Sequence, residues 1–188
     1  MTTAGERPVS SLRQALAALA RIGLLPVAAA PLRASMASAG TQLQQAVLAE
    51  IPAFSASGNP QILPDLKRHA REHLDEILRL FGGGGLDDFS FVRAHARLRA
   101  EQRFPLEATL HAYRCGHRTL SRWLREAAVA SKPKNVEKAV SAVADFAIEY
   151  TDAISTIVTA VRWRACSHFS LPLLGLPEAQ RERLRSLI

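Results

Sequence analysis

The chain has 188 residues, a formal net charge of +7 at pH 7, and apolar and charged shares of 48% and 22%. These values argue against a disordered, collagen-like or membrane-embedded chain and leave room for one domain with a hydrophobic core. Ala, Leu and Arg dominate and aromatic residues are scarce, which favours helices. Two cysteines, Cys115 and Cys166, are too few for a disulfide framework, so we expect a cytoplasmic protein.

The N-terminal 32 residues predict one helix and a connector. Apolar residues recur at helical spacing from Ser10 to Ile22, and Gly23 ends this helix. Pro26 and Pro31 bracket an Ala-rich segment that we expect to be non-helical. The longest uncharged run here has only eleven residues, too few to cross a bilayer, so no membrane association is predicted.

Five more helices are predicted from apolar stripes bounded by glycine, proline or capping residues. The sixth and last helix should be about 45 Å long at 1.5 Å per residue. The predicted helices run from residue 33 or 41 to 50, over 63–81, 87–102 and 105–130, and for about thirty residues from Val136, with a loop over 52–60. The predicted fold is all-α, a six-helix bundle with a long C-terminal helix, and a globin-like arrangement is one option.

The length of the last helix predicts a homodimer. A helix of about 45 Å exceeds the diameter of a compact domain of this size, so a second subunit is expected to cover part of it. Its second apolar row is the expected intersubunit face and consists of Ala139, Phe146 and Ala153.

Few residue patterns suggest chemistry. His69 and His73 share one helix face, but no third His or Cys has ligand spacing, so no metal or other cofactor is predicted. His117 lies on an apolar stripe, which is typical of a core histidine bonded to a carbonyl or carboxylate, with a ligand contact as the alternative. The sequence has no Gly-x-Ser-x-Gly elbow and no phosphate-binding loop, so we expect no enzymatic activity.

Positive charge concentrates in one segment. The segment from Arg93 to Arg125 contains eight arginines and two glutamates, which gives it a local charge of +6. A solvated basic surface explains this segment, and direct nucleic-acid binding is the alternative.

Two segments resemble a known family. They are Glu50-Ile-Pro-Ala-Phe and the run from Arg99 to Arg118, which contains Arg99-Ala-Glu, Pro105-Leu and Ala112-Tyr-Arg, followed by Gly116. They resemble the N-terminal helical domain of PucR-type and CdaR-type transcriptional regulators, which is related to that of RsbR-like stressosome proteins. The resemblance covers about residues 40–165. Arg103 stands where the family usually has glycine, so either a positive φ there costs on the order of 1 kcal/mol or this chain has a different turn.

The resemblance implies a non-catalytic input or dimerisation domain over residues 33–168 that relays a signal to a DNA-binding domain absent from this chain. Residues 169–188 are interpreted as a linker and the start of a further segment. The alternatives are a ligand- or haem-binding globin-like sensor acting through protein partners, or a nucleic-acid-binding helical domain.

The segments that carry this resemblance contain the candidate site residues. We interpret these residues either as the lining of a ligand pocket or as the contacts of a helix junction. In a pocket, Arg99, Tyr113, Arg114 and His117 would bind a small anionic or planar effector. In a junction, Tyr113 would bury its ring and Arg114 would pair with Glu101 or Glu107. Gly116 is expected where another backbone approaches closely. The full set is Arg99, Glu101, Glu107, Tyr113, Arg114, Gly116 and His117.

Overall fold

The computed structural model describes residues 6–169, except for the side chains of residues 6–8, 26, 37 and 163–169. This range contains seven helices and no strand, which confirms the all-α fold. The linker and further segment predicted after residue 169 lie outside the described residues. The helices are α1 (Glu6–Arg21), α2 (Leu24–Glu50), α3 (Pro52–Ser55), α4 (Ile62–Phe81), α5 (Ser90–Glu101), α6 (Leu106–Ala130) and α7 (Val136–Phe169).

Most predicted helix ends lie within a few residues of the observed ones. Gly23 separates α1 from α2 with a φ of 69°, a value that glycine adopts without strain. The one described helix that the sequence did not predict is α3, a single turn inside the predicted loop over residues 52–60. Pro52 occupies its first turn, where a missing N–H costs no hydrogen bond, and Phe54 is buried beneath it.

The predicted connector between Pro26 and Pro31 is helical instead. Pro26 lies in the first turn of α2, where backbone N–H groups have no partner within the helix. Pro31 lies in the interior, which costs about 3 kcal/mol. Three buried side chains on this stretch, Leu24, Ala28 and Leu32, supply hydrophobic stabilisation that offsets this cost. The predicted division after residue 32 therefore falls inside a continuous helix.

Helix α7 is the element around which the bundle packs. It contacts α1, α5 and α6, while α2 packs against α4 and α6. At 34 residues it is about 51 Å long. The row predicted to face a second subunit, Ala139, Phe146 and Ala153, is buried inside this chain. That prediction is wrong because the chain's own helices, including α1, cover the row.

Helix α5 ends in a Schellman motif, the turn in which a residue with positive φ follows the helix. The N–H of Arg103 donates to the carbonyl of Ala100 at 3.0 Å, and the N–H of Phe104 donates to that of Arg99 at 2.9 Å. Arg103 has a φ of 53°, so of the two alternatives for this position the turn with positive φ is the one present. The turn places Arg99 and Phe104 next to each other at the base of the site described below.

Among the described helices, none combines the length and apolar character that a bilayer-spanning segment requires.

Replacing Arg103 by glycine should raise the free energy of unfolding by about 1 kcal/mol, because glycine adopts positive φ without a clash with Cβ. Arg103→Ala is the matched control, since it removes the same exposed side chain but keeps Cβ. Urea denaturation should show stabilisation by Arg103→Gly alone. Equal effects of the two substitutions would contradict backbone strain at this turn.

Candidate functional site

A cavity of about 80 Å³ lies between α2, α4, α6 and α7. Most of its wall is apolar, with side chains such as Leu43, Leu66 and Ile154. Its polar part contains four histidines, two tyrosines and three threonines. Three of these histidines and both tyrosines form what we call the polar cluster: His69, His73, His95, Tyr113 and Tyr150. The cluster comes from four helices, so it forms only when the bundle packs.

His69 and His73 lie one turn apart on α4, and their Nε2 atoms are 3.0 Å apart. The Nε2 of His69 is also 2.8 Å from the hydroxyl oxygen of Tyr113, and its Nδ1 is 3.2 Å from a carboxylate oxygen of Glu72. The Nδ1 of His73 is 2.9 Å from the hydroxyl oxygen of Tyr150. A continuous series of polar contacts therefore runs from the partly exposed Glu72 to the buried Tyr150.

Hydrogen-bond chemistry fixes the tautomers in this series. The carboxylate of Glu72 only accepts, so the Nδ1 of His69 carries the hydrogen and its Nε2 carries the lone pair. His73 can then donate from Nε2 to His69 and accept from the Tyr150 hydroxyl at Nδ1. The Tyr113 hydroxyl also points to the Nε2 of His69, so two donors share one lone pair.

Within the polar cluster, His95 on α5 is oriented by Arg99, which lies one turn later on the same helix. The ring of His95 stacks on that of His69, with centroids 3.7 Å apart and planes 1° apart. The Nε of Arg99 donates to the Nε2 of His95 at 3.3 Å. Because a guanidinium only donates, His95 carries its hydrogen on Nδ1. This arrangement holds the His95 ring parallel to the His69 ring.

Arg99 is 1% exposed, and no carboxylate of the described residues is in direct contact with it. It donates to the backbone carbonyl of Ile62 at 3.1 Å and to the side-chain oxygen of Gln102 at 2.9 Å. Gln102 in turn donates to buried Asp65 at 3.0 Å, so the amide connects the two charges. The guanidinium also lies over the rings of Phe54 and Phe104, at 5.8 and 5.2 Å from their centroids.

Burial keeps the cluster uncharged. Desolvation, reinforced by the positive charge of Arg99, lowers the pKa of His69 to about 3. Burial also lowers the pKa values of His73 and His95 well below the usual value for histidine. It raises the pKa values of Tyr113 and Tyr150, so both hydroxyls keep their hydrogens. At neutral pH the polar cluster therefore offers hydrogen-bonding groups and lone pairs without net charge.

His117 lies on the cavity wall and connects α6 to α7. Its Nδ1 is 2.8 Å from the hydroxyl of Thr151 and 3.2 Å from the carbonyl of Ala147. Thr151 donates its own hydrogen to that carbonyl, so its oxygen accepts from His117. Ser121 lies 3.3 Å from the other ring nitrogen. His117 is thus a histidine bonded to a backbone carbonyl, as the sequence predicted.

The predicted site residues do not all meet. Tyr113, Gly116 and His117 line the cavity, while Arg99 lies behind the wall and bonds to His95. Glu101, Glu107 and Arg114 are exposed, and within the described part of the chain no ion pair joins Arg114 to either glutamate. Among the described residues, no Arg or Lys lines the cavity, so of the two predicted effector types, anionic or planar, the geometry does not favour the anionic one.

Gly116 does not mark a close backbone approach. A Cβ built there would meet only the end of the Leu43 side chain, at an ordinary 3.7 Å. The predicted tight packing at this glycine is therefore wrong. Its missing side chain instead leaves space on the cavity wall.

Sequence reasoning missed His95, Tyr150, Asp65 and Gln102 as parts of the site. The i, i+4 spacing identified His69 and His73 as a pair, but no spacing rule relates residues on different helices. A polar residue inside an apolar stripe was the available signal, and Tyr150 carried it on α7.

The arginines of the segment from Arg93 to Arg125 serve different purposes. Arg99 is buried, and Arg118 pairs with Glu50. Arg93 and Arg125 bond to backbone carbonyls. Parts of this segment therefore contribute to internal structure, which weakens the case for a continuous nucleic-acid surface.

Comparison with protein families places most of the chain in a known family. The family described as the RsbT co-antagonist protein rsbRD N-terminal domain matches residues 37–165, well over half of the chain. No curated protein and no solved structure matches. The matched range contains every residue of the polar cluster.

Acid should destabilise the fold through the buried histidines. In the unfolded chain these histidines bind protons below about pH 6.5, whereas the folded chain resists protonation down to about pH 3 at His69. The free energy of unfolding should therefore be constant above about pH 6.5 and fall below it, by up to about 1.4 kcal/mol per pH unit for each such histidine.

Urea denaturation between pH 7 and pH 5, with a metal chelator present, measures this slope. His95→Gln should make the pH dependence shallower, and His111→Gln, at a side chain 40% exposed, is the control for loss of an imidazole from the surface. Identical slopes for both variants would contradict the role assigned to the buried imidazoles.

Proposed function

Because the chain belongs to the family of RsbT co-antagonist protein rsbRD N-terminal domains, we propose that it is a non-catalytic regulatory input domain. In its specific form, the proposal is an input domain of a PucR-like transcriptional regulator that relays a signal to a DNA-binding domain outside this chain. The observation that carries the proposal is the family match over residues 37–165. The PucR-like part is also supported by the matched string from Arg99 to Gly116.

The structure offers a route for such a relay. Two neighbouring residues of α7 bond to the cavity wall: Tyr150 to His73 on α4, and Thr151 to His117 on α6. A ligand that alters either bond would act directly on α7, which continues to Phe169. A helix moves largely as a unit, so a shift near Thr151 would be transmitted along its length.

The small cavity constrains the effector class. At about 80 Å³ it is much smaller than the roughly 300–1,000 Å³ of typical sites for drug-sized ligands. Its polar groups are uncharged, so it suits a small neutral molecule better than an anion. The cavity as described has no room for haem, so the haem-sensor alternative gains no support from it.

We also propose a cytoplasmic homodimer. The length of α7 favours this assembly, although the apolar row first assigned to the interface is internal. Native mass spectrometry of the full chain would report the subunit number.

Breaking the bond between α6 and α7 should loosen α7 locally. Thr151→Val keeps the side-chain shape but removes the acceptor for His117, which should cost about 1 kcal/mol, or about a fivefold increase in local opening. Thr159→Val is a matched control, because Thr159 makes the same bond to the carbonyl four residues earlier but contacts no other helix in its hydrogen bonding. Hydrogen exchange measured by mass spectrometry should show faster exchange near residues 147–155 only for Thr151→Val. Equal exchange in the two variants would contradict the relay.

The regulatory role can be tested in the source cell with an epitope-tagged chromosomal copy of the protein that carries this chain. Chromatin immunoprecipitation should recover discrete DNA sites, and Thr151→Val should change transcription from them more than Thr159→Val does. Absence of enriched DNA, together with stable co-purification of protein partners, would contradict the PucR-like form and favour the alternative of a sensor acting through protein partners.

A further inference from the structure

The polar cluster contains three possible ligand atoms close together beside the cavity, one of which lies within 3.0 Å of the other two. They are the Nε2 atoms of His69 and His73 and the hydroxyl oxygen of Tyr113. From these contacts we propose that His69, His73 and Tyr113 bind a divalent first-row transition-metal ion. This inference is independent of the proposed regulatory role, since it concerns only the chemistry of the cluster.

The hydrogen-bond inventory motivates the proposal. The Nε2 of His69 has one lone pair, and both the Nε2–H of His73 and the O–H of Tyr113 point to it. Among the described residues, Tyr113 has no other hydrogen-bond partner for its hydroxyl. A cation bound between these atoms would use one lone pair from each of the three side chains: the His73 hydrogen would move from Nε2 to Nδ1, and Tyr113 would release its hydrogen to water and bind as a phenolate.

The spacing suits shared ligation. Two nitrogens about 2.1 Å from one ion and about 90° apart at that ion are about 3.0 Å from each other. The observed separation of the two Nε2 atoms is 3.0 Å. The tetrahedral spacing of about 3.4 Å requires only a small rotation of the rings. The two histidines lie one turn apart on the 20-residue helix α4, so the backbone already holds them in position.

The hydrogen-bond partners of the two Nδ1 atoms are of the kind usually found next to metal-ligating histidines. A ligating histidine usually donates its second ring N–H to a carboxylate, a carbonyl or water, which orients the ring. Glu72 accepts from the Nδ1 of His69. With an ion bound, the Nδ1 of His73 would carry the hydrogen and donate to the Tyr150 oxygen, 2.9 Å away. Neither partner needs to move for this change.

The donor set indicates the class of ion. Imidazole nitrogens suit Zn²⁺, Co²⁺, Ni²⁺, Cu²⁺ and Fe²⁺, whereas Mg²⁺ and Ca²⁺ prefer oxygen ligands alone. Three protein ligands leave a coordination position open to the adjoining cavity of about 80 Å³. That position would accept water or a small neutral molecule with a lone pair.

A second group of possible metal ligands lies elsewhere in the chain, and any binding test must distinguish it from the site proposed here. Ligand atoms of Glu50, His111 and Cys115 lie within 4.8 Å of one another near the protein surface. Arg118 already bonds to the Glu50 carboxylate and approaches the Cys115 sulfur to 3.4 Å. A cationic side chain thus occupies that group, and we propose no metal there.

The test is titration of the full, chelator-treated chain with Co²⁺, followed by its visible absorption bands and by competition with Zn²⁺. One Co²⁺ per chain is expected, with loss of binding in His73→Gln. Glu72→Ala should weaken binding about 10- to 100-fold. Asp75→Ala, which removes an exposed negative charge from the same helix, should not weaken it.

The double variant His111→Gln/Cys115→Ser should bind Co²⁺ as the unaltered chain does. If circular dichroism shows that His73→Gln is unfolded, Tyr113→Phe and Glu72→Ala decide the matter, because each should shift the bands or weaken binding in a folded chain. The proposal is overturned by absence of Co²⁺ and Zn²⁺ binding, by loss of binding in the double variant, or by unchanged binding in both Tyr113→Phe and Glu72→Ala.

Discussion

The buried guanidinium of Arg99 is the constraint on which the centre of this bundle depends. A charge removed from water destabilises a fold by several kcal/mol unless polar groups replace its hydration. Here the replacements come from three parts of the chain: the carbonyl of Ile62 at the start of α4, His95 on α5, and Gln102 after α5. These contacts fix the junction of α4 and α5, and the turn at Arg103 brings Phe104 against the same guanidinium. Strained backbone at Arg103 is consistent with a junction held by its surroundings.

Arg99 orients the first of a series of aromatic rings, and each ring in the series contacts the next. Its bond to His95 fixes that imidazole, which stacks on His69, and His69 contacts His73. Tyr150 then connects the series to α7. Every imidazole in this series is neutral. Binding of a metal ion, of a proton or of a small molecule with a lone pair would therefore change which of its atoms donate and which accept hydrogen bonds. A buried, uncharged network next to a small cavity suits an input domain, and its contact with the longest helix gives a change there a path outward.

The sequence could predict what local rules govern. Apolar periodicity located α4, α5 and α6 to within a few residues, and Gly23 identified the end of α1. The glycine that the family usually has at position 103 suggested a positive φ there, and the structure has one. Local rules failed where tertiary packing prevailed. Pro31 predicted a break, but burial of neighbouring side chains keeps α2 helical. The apolar row containing Phe146 was assigned to a partner, whereas the chain covers it itself. Within the site, Tyr113 was found from the family resemblance and His117 from its place on an apolar stripe. His95 and Tyr150 could not be joined to them because their proximity arises from helix packing.

The most direct test of this account is nitrogen NMR of the imidazole rings in the chelator-treated chain at pH 6. The account predicts that His69 and His95 are neutral with the hydrogen on Nδ1, and that His73 is neutral with the hydrogen on Nε2. In water, neutral histidine prefers the Nε2 tautomer, so two resolved Nδ1–H rings would be a specific signature of the packed network. Charged rings at His69 and His95, or shifts averaged between tautomers, would show that the buried series of contacts does not exist as described.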